Sequence, residues 1–157
     1  MRKIIALLLA VAALTLLAAC NNQKEPENPW KDSAESLREI TENEGVQLTL
    51  DGDTLTPTGG TFYMVNKSDE VVYFGWDYEI EAEFNGKWYN VMAENAAFPA
   101  EELIVRRGGK FTLETDWHNC VTVGELPPGN YRMVKPYRLE STDWSSPYYV
   151  ACEFTIE

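Results

Sequence analysis

Between residues 72 and 84 the chain alternates with a period of two. Val72, Phe74, Trp76, Tyr78, Ile80, Ala82 and Phe84 share one parity, and Asp77, Glu79, Glu81 and Glu83 share the other. Successive side chains of a strand point to opposite faces, so the pattern predicts a strand with one face on a core and an acidic face in water. Asn85-Gly86 follows at once, the pair that suits a type I′ hairpin because both turn positions need positive φ. Counting back from that turn pairs Glu83 with Trp88, Ala82 with Tyr89 and Ile80 with Val91. Tyr89 and Val91 then go inward, and Trp88 lies on the acidic face.

Other segments after Gly45 carry the same period, separated by Gly, Pro and Asp turns. Val46, Leu48 and Leu50 alternate with Gln47 and Thr49, and Asp51-Gly52-Asp53 is expected to close that strand. A second strand is expected over residues 61–66, followed by a polar turn at Lys67-Ser68-Asp69-Glu70. Beyond a looser stretch around Phe98-Pro99, Arg106-Arg107-Gly108-Gly109 reads as a turn, and Phe111, Leu113 and Trp117 alternate after it. Pro127-Pro128-Gly129 leads tightly into a further strand, and the last one places Val150, Cys152, Phe154 and Ile156 on one face. Seven or eight short strands with no long helix between them predict an all-β fold, an antiparallel β-sandwich with Greek-key connections. A small barrel is the alternative.

The chain before Gly45 follows a different pattern. Residues 1–19 join a basic start, Arg2-Lys3, to an apolar run over residues 4–17 that only Thr15 interrupts, and end on Ala18-Ala19. The run is shorter than the ~20 residues that span a bilayer, which is the layout of a signal peptide. Leu17-Ala18-Ala19-Cys20 resembles the lipobox of bacterial lipoproteins, which implies cleavage before Cys20 and lipid on its thiol. Residues 21–32, polar and with two prolines, read as a flexible tether. Over residues 32–43 a short helix is expected, with Asp32 and Glu35 at capping-box spacing and Ala34, Leu37 and Ile40 on one side. The expected organisation is therefore leader 1–19, lipidated Cys20 and tether to residue 44, and one domain over 45–157.

Charge narrows the partners. Removing the leader takes Arg2 and Lys3 from the 13 Lys+Arg and leaves 11 against 25 Asp+Glu, a formal −14. Such a surface repels nucleic acid and anionic headgroups. The membrane is then reached through lipid on Cys20, with a protein or glycan as the candidate partner and no nucleic acid.

A more specific signal lies in the turn and core residues. Phe74-Gly75 with Tyr78 and Glu81 precedes Asn85-Gly86-Lys87-Trp88-Tyr89; Phe98 and Asp116-Trp117 follow, then Gly124-Glu125-Leu126-Pro127-Pro128-Gly129-Asn130-Tyr131-Arg132 with Lys135. Together they resemble a family of bacterial immunoglobulin-like domains found in lipoproteins and other envelope proteins of Firmicutes. The resemblance covers about residues 45–157, and the segment around Pro127-Pro128-Gly129 is its most specific part. It implies a sandwich, an extracytoplasmic location and no reaction, with Trp88, Trp117, Gly129, Tyr131 and Arg132 as structural determinants. Tyr131 resembles a tyrosine corner, whose phenol bonds backward to the connecting loop. Where the family carries an aromatic before its glycine, this chain has Val123.

Candidate chemistry is sparse. Any imidazole-based hydrolytic centre must use His118, the single histidine. Asp116, His118 and Cys120 sit two apart, so on a regular strand they would face one way, yet the outer two would be ~13 Å apart, too far to share an ion. Cys120 and Cys152 remain after Cys20, and their parities oppose a bridge, so two thiols are expected. The acidic ladder 77–83 and Asp51-Gly52-Asp53 diverge too much for a calcium cage. No metal, cofactor or catalytic residue is assigned.

Among the aromatics not consumed by the alternating faces are Trp30, Trp88, Trp144, Tyr148 and Tyr149. Exposed rings beside carboxylates stack on sugars or anchor a protein partner, which makes Trp88, Trp144, Tyr148 and Tyr149 the candidate binding surface. The reading is a non-enzymatic, lipid-anchored extracytoplasmic module, monomeric, that engages a protein, glycan or envelope component. The alternative is a small-ligand or cation receptor, which predicts a concave pocket with converging polar groups. A hydrolase would need His118 in a cleft beside a nucleophile.

Overall fold

The computed structural model describes residues 27–41 and 45–157. The leader, Cys20, residues 21–26 of the tether and residues 42–44 lie outside them. Among the described residues nine strands form two antiparallel sheets. β1 (Val46–Thr56), β2 (Gly59–Asn66) and β7 (Lys110–Asp116) make a three-stranded sheet in the order β1-β2-β7. The six-stranded sheet is built on β8 (Gly129–Leu139), with β9 (Tyr148–Ile156) along one side. On its other side β3 (Val72–Phe74) and β4 (Glu79–Phe84) lie end to end, carrying β6 (Leu103–Val105) and β5 (Lys87–Asn90) beyond them. The expected sandwich is what the sequence forms, and the barrel is not.

Its core is aromatic at one end. Phe154 stacks on Trp117 at 5.6 Å and on Tyr131 at 5.8 Å between ring centroids, and Phe62 meets Trp117 and Phe154 edge-on or tilted. Such pairs add about 0.5–1.5 kcal/mol each beyond the area they bury. Two polar tips are tied to connections between strands: Tyr131 Oη donates to Pro127 O at 2.7 Å, and Trp117 Nε1 to Pro57 O at 2.9 Å. The backward bond of Tyr131 is the one the corner motif implied.

Several elements follow the pattern. Asn85 and Gly86 take φ of 52° and 76°, and Glu83 pairs with Trp88 and Ala82 with Tyr89. Gly108 is left-handed at φ 68°, and Gly109 N–H closes its turn on Arg106 O. The polar turn after β2 is organised by Asn66, which is fully buried. Its amide donates to Glu70 O and Val105 O, and its Oδ1 accepts from Ser68 N–H and Oγ.

Other expectations need correction. Asp51-Gly52-Asp53 does not close β1, which slips register after Asp51 and continues to Thr56, where Pro57-Thr58 turns the hairpin. The alternating segment 72–84 is two strands rather than one. Its register along β8 shifts between Tyr73↔Arg138 and Glu79↔Val134, so residues 75–78 bulge out of the ladder. The carbonyls this frees are met by Lys135, fully buried on β8, whose Nζ donates to Gly75 O and Asp77 O and lies over the Phe74 ring.

Residues 32–41 contain no helix, and the tether reading fails at Trp30, which is only 8% exposed and packs edge-on against Tyr131. From there the chain runs as a strap. Glu35 bridges to Tyr89, with Ser36 N–H donating to Trp88 O and Asn90 N–H to Ala34 O. At its far end Thr41 N–H donates to Tyr149 O. A helix would have satisfied these amides internally; here the edge of β5 and the start of β9 do so, and tertiary pairing overrides a weak local propensity.

Burial pushes the Lys135 amine down to about 8 from the usual 10.5, against the opposing pull of Asp77. A neutral amine keeps two N–H donors for its two carbonyls. Between pH 8 and 10.5 the unfolded chain therefore binds a proton that the folded chain has released, and stability rises with pH through that window. Above pH 10 the buried phenols of Tyr78 and Tyr131, raised by burial, oppose the rise. Lys135→Met is expected to cost about 2–4 kcal/mol at pH 7, because two buried carbonyls lose their donor. It should also abolish the rise in urea midpoint between about pH 7.5 and 9.5, the range below tyrosine ionisation.

Candidate interaction surface

The face of the six-stranded sheet turned away from the core carries Glu79, Glu81 and Glu83 from β4, Trp88 and Asn90 from β5, Arg132 and Val134 from β8, and Tyr149 from β9. It is not the wet acidic face that alternation predicts. Glu81 is fully buried, and its Oε2 accepts from Arg132 Nε at 2.6 Å. The strap crosses this face between β5 and β9 and leaves beside it a polar groove of roughly 660 Å³ bounded by Arg38, Glu79, Asn90 and Tyr149.

Three arginines organise the surface, each between a ring and a carboxylate. Arg132 lies 4.4 Å over Trp88 and pairs with Glu81. Arg38 of the strap lies 4.4 Å over Tyr149, with Nη1 2.8 Å from Glu79 Oε1. Arg138 lies 3.8 Å over Tyr73 and 5.8 Å from the Trp144 ring centre, and its Nη2 bonds Glu102 at 3.0 Å. Planar guanidinium suits both partners at once, through its flat face and its edge donors.

The four candidate aromatics therefore do not converge. Trp88 and Tyr149 share the outer face but are half-buried, each beneath its own arginine. Tyr148 points the other way and packs on Tyr137 at 5.4 Å, so although half-buried like the other two it does not join them on the outer face. Only Trp144 is well presented, 44% exposed in the loop between β8 and β9. Its Nε1 donates to Glu102 Oε1 at 3.2 Å, and its ring walls a cleft of about 340 Å³ with Gly75, Asp77, Pro99 and Glu101.

Two of the partners that fix this arrangement went unassigned from the pattern. Arg138 is legible in principle, since Arg132, Val134 and Arg138 share one parity of β8. Arg38 is not, because nothing local says that the strap crosses β4.

His118, Asp116 and Cys120 do not form the expected row. β7 ends at Asp116, and the chain curls so that Cys120 N–H and Val121 N–H both donate to Trp117 O. His118 is exposed there, its backbone amide held by Asp116 Oδ1 at 3.0 Å. Cys120 faces a cleft of about 370 Å³ lined by Trp76, Tyr78, Phe98 and Leu113. Cys120 and Cys152 are both free thiols, half-buried; burial raises the Cys152 thiol. Among the described residues no group of three or more His, Cys, Asp or Glu is placed to hold a metal. Val123 is 49% exposed rather than packed.

Two antiparallel sheets, a tyrosine corner and loops gathered at the two ends define an immunoglobulin-like sandwich. The profile of the family described as bacterial Ig-like domain matches residues 42–151, and the chain belongs to that family. Its members are generally non-catalytic and typically extracellular or surface-exposed. Neither the curated proteins nor the solved structures contain a match to the chain.

Arg132→Ala strands the buried Glu81 carboxylate and is expected to destabilise the domain by about 3–5 kcal/mol. Glu81→Met combined with Arg132→Met should recover most of that loss, since it removes both buried charges. Urea denaturation of the two variants, read as midpoint at constant m-value, checks this.

Proposed function

We propose that this protein is a non-enzymatic, lipid-anchored extracytoplasmic module that engages a protein, glycan or envelope component through the sandwich end bearing Trp144. Family membership supports the module and its location. The observation that carries the binding surface is Trp144, whose ring stands 44% exposed while Glu102 holds its indole N–H. A ring fixed in place loses little entropy on contact, so its apolar face is available for stacking on a sugar or for burial in a partner. Trp88 and Tyr149, already covered by arginine, are less suited to that role. The lipid anchor rests on Leu17-Ala18-Ala19-Cys20.

Titration of intrinsic fluorescence with peptidoglycan fragments, together with a glycan array and photo-crosslinking in intact cells, tests the surface. Trp144→Ala is expected to weaken the contact by about tenfold or more, as truncation of an anchor aromatic does, and to leave the fold intact. Retention of every contact by Trp144→Ala would remove this end from consideration. For the anchor, Cys20→Ala should abolish incorporation of a palmitate analogue and release the protein from the membrane fraction.

A further inference from the structure

We propose that the strap holds the sandwich end-on to the bilayer, with the Trp30 end facing the lipid and the Trp144 end outward. The proposal rests on the lipid anchor at Cys20 and adds an orientation to it. Trp30 packs against Tyr131 at the start of β8, beside the Asn85-Gly86 turn and the Pro127-Pro128 corner. The strap is pinned beyond it by the Glu35↔Tyr89 bridge, the Lys87–Glu35 pair at 2.9 Å, Arg38 between Glu79 and Tyr149, and Thr41 on Tyr149 O. β8 then runs from this end to Leu139, and the loop carrying Trp144 lies past its far end.

Lengths decide the outcome. Only residues 21–29 separate Cys20 from Trp30. Fully extended, that leash reaches about 35 Å. The eleven residues of β8 alone span about 35 Å. Inverting the sandwich would require the leash to stretch to its full contour, and any shorter span keeps the Trp30 end nearest the lipid. Were residues 21–44 all free, the reach would be ~85 Å and no orientation would be favoured. The acidic chain adds repulsion from anionic headgroups, which keeps the rest of the domain off the surface.

The full lipidated chain, in vesicles of phosphatidylcholine and phosphatidylglycerol with acceptor-labelled lipid, tests this by energy transfer. Donor dyes are placed on Glu125→Cys near the Trp30 end and on Ser146→Cys at the other, with Cys120 and Cys152 changed to Ala. Strong transfer from position 125 and weak transfer from 146 is expected. Trp30→Ala with Arg38→Ala should reduce that difference by freeing the strap. Equal transfer from both positions, with the protein still floating with the vesicles, overturns the orientation and leaves the anchor standing. A chain that does not float, or floats equally well as Cys20→Ala, overturns the anchor itself and the orientation with it. Amide exchange in the same chain gives an independent readout: Ser36, Thr41 and Asn90 N–H should be protected, and unprotected rates at all three would dispose of the strap.

Discussion

The larger sheet depends on how one buried amine resolves a broken ladder. Along one side of β8 the chain must supply two partners that serve different neighbours, β3 for β6 and β4 for β5. Joining them costs a bulge at residues 75–78, whose carbonyls face the interior with no strand to meet them. An unpaired buried carbonyl is expensive. Lys135 answers both at once from the facing strand, its aliphatic stem lying in the core and its nitrogen between Gly75 O and Asp77 O. One local geometry thus links residues 60 positions apart.

That coupling also explains what was legible. Asn85-Gly86 and the Pro127-Pro128-Gly129 corner are local signals, and each produced the element it predicts, because turn chemistry acts over a few residues; alternation over 72–84 marked the apolar side but not the break that makes it two strands. The bulge is invisible to parity: Trp76 and Tyr78 keep the apolar phase on both sides of it, so a two-residue slip leaves the pattern intact. Its one trace is a lysine at position 135 among Tyr131, Met133 and Tyr137, the inward positions of β8. A charge on an apolar parity announces a buried carbonyl to meet.

The acidic face failed for a related reason. Period two tells which side of a strand is apolar, not what later covers the polar side. Glu81 looks like its neighbours in sequence, but the row Asn90, Glu81, Arg132 across three strands places a cation beside it and Trp88 over that cation. The strap supplies the rest of the cover, drawing Glu79 into a pair with Arg38. Trp30, polar-flanked and between two prolines' reach of Cys20, has every local mark of a tether residue. Only the edge of Tyr131 on the folded domain, against which it packs, gives it a reason to dock.

Arginine usage bears on what the surface can recognise. The three guanidinium groups on the outer side of the larger sheet are each committed to a ring and a carboxylate within the chain. Such paired cations offer little to an incoming phosphate, which would have to displace an ordered carboxylate and a stacked ring together. The acidic excess outside these stacks is not offset by them. The face is therefore better suited to holding the strap than to binding an anion, whereas at the loop end Trp144 stays 44% exposed. Arg138 ties the two regions: stacked on Tyr73 at the sheet, it also holds Glu102, which in turn fixes the Trp144 indole. The exposed ring is thus positioned by the end of the same strand whose middle resolves the bulge.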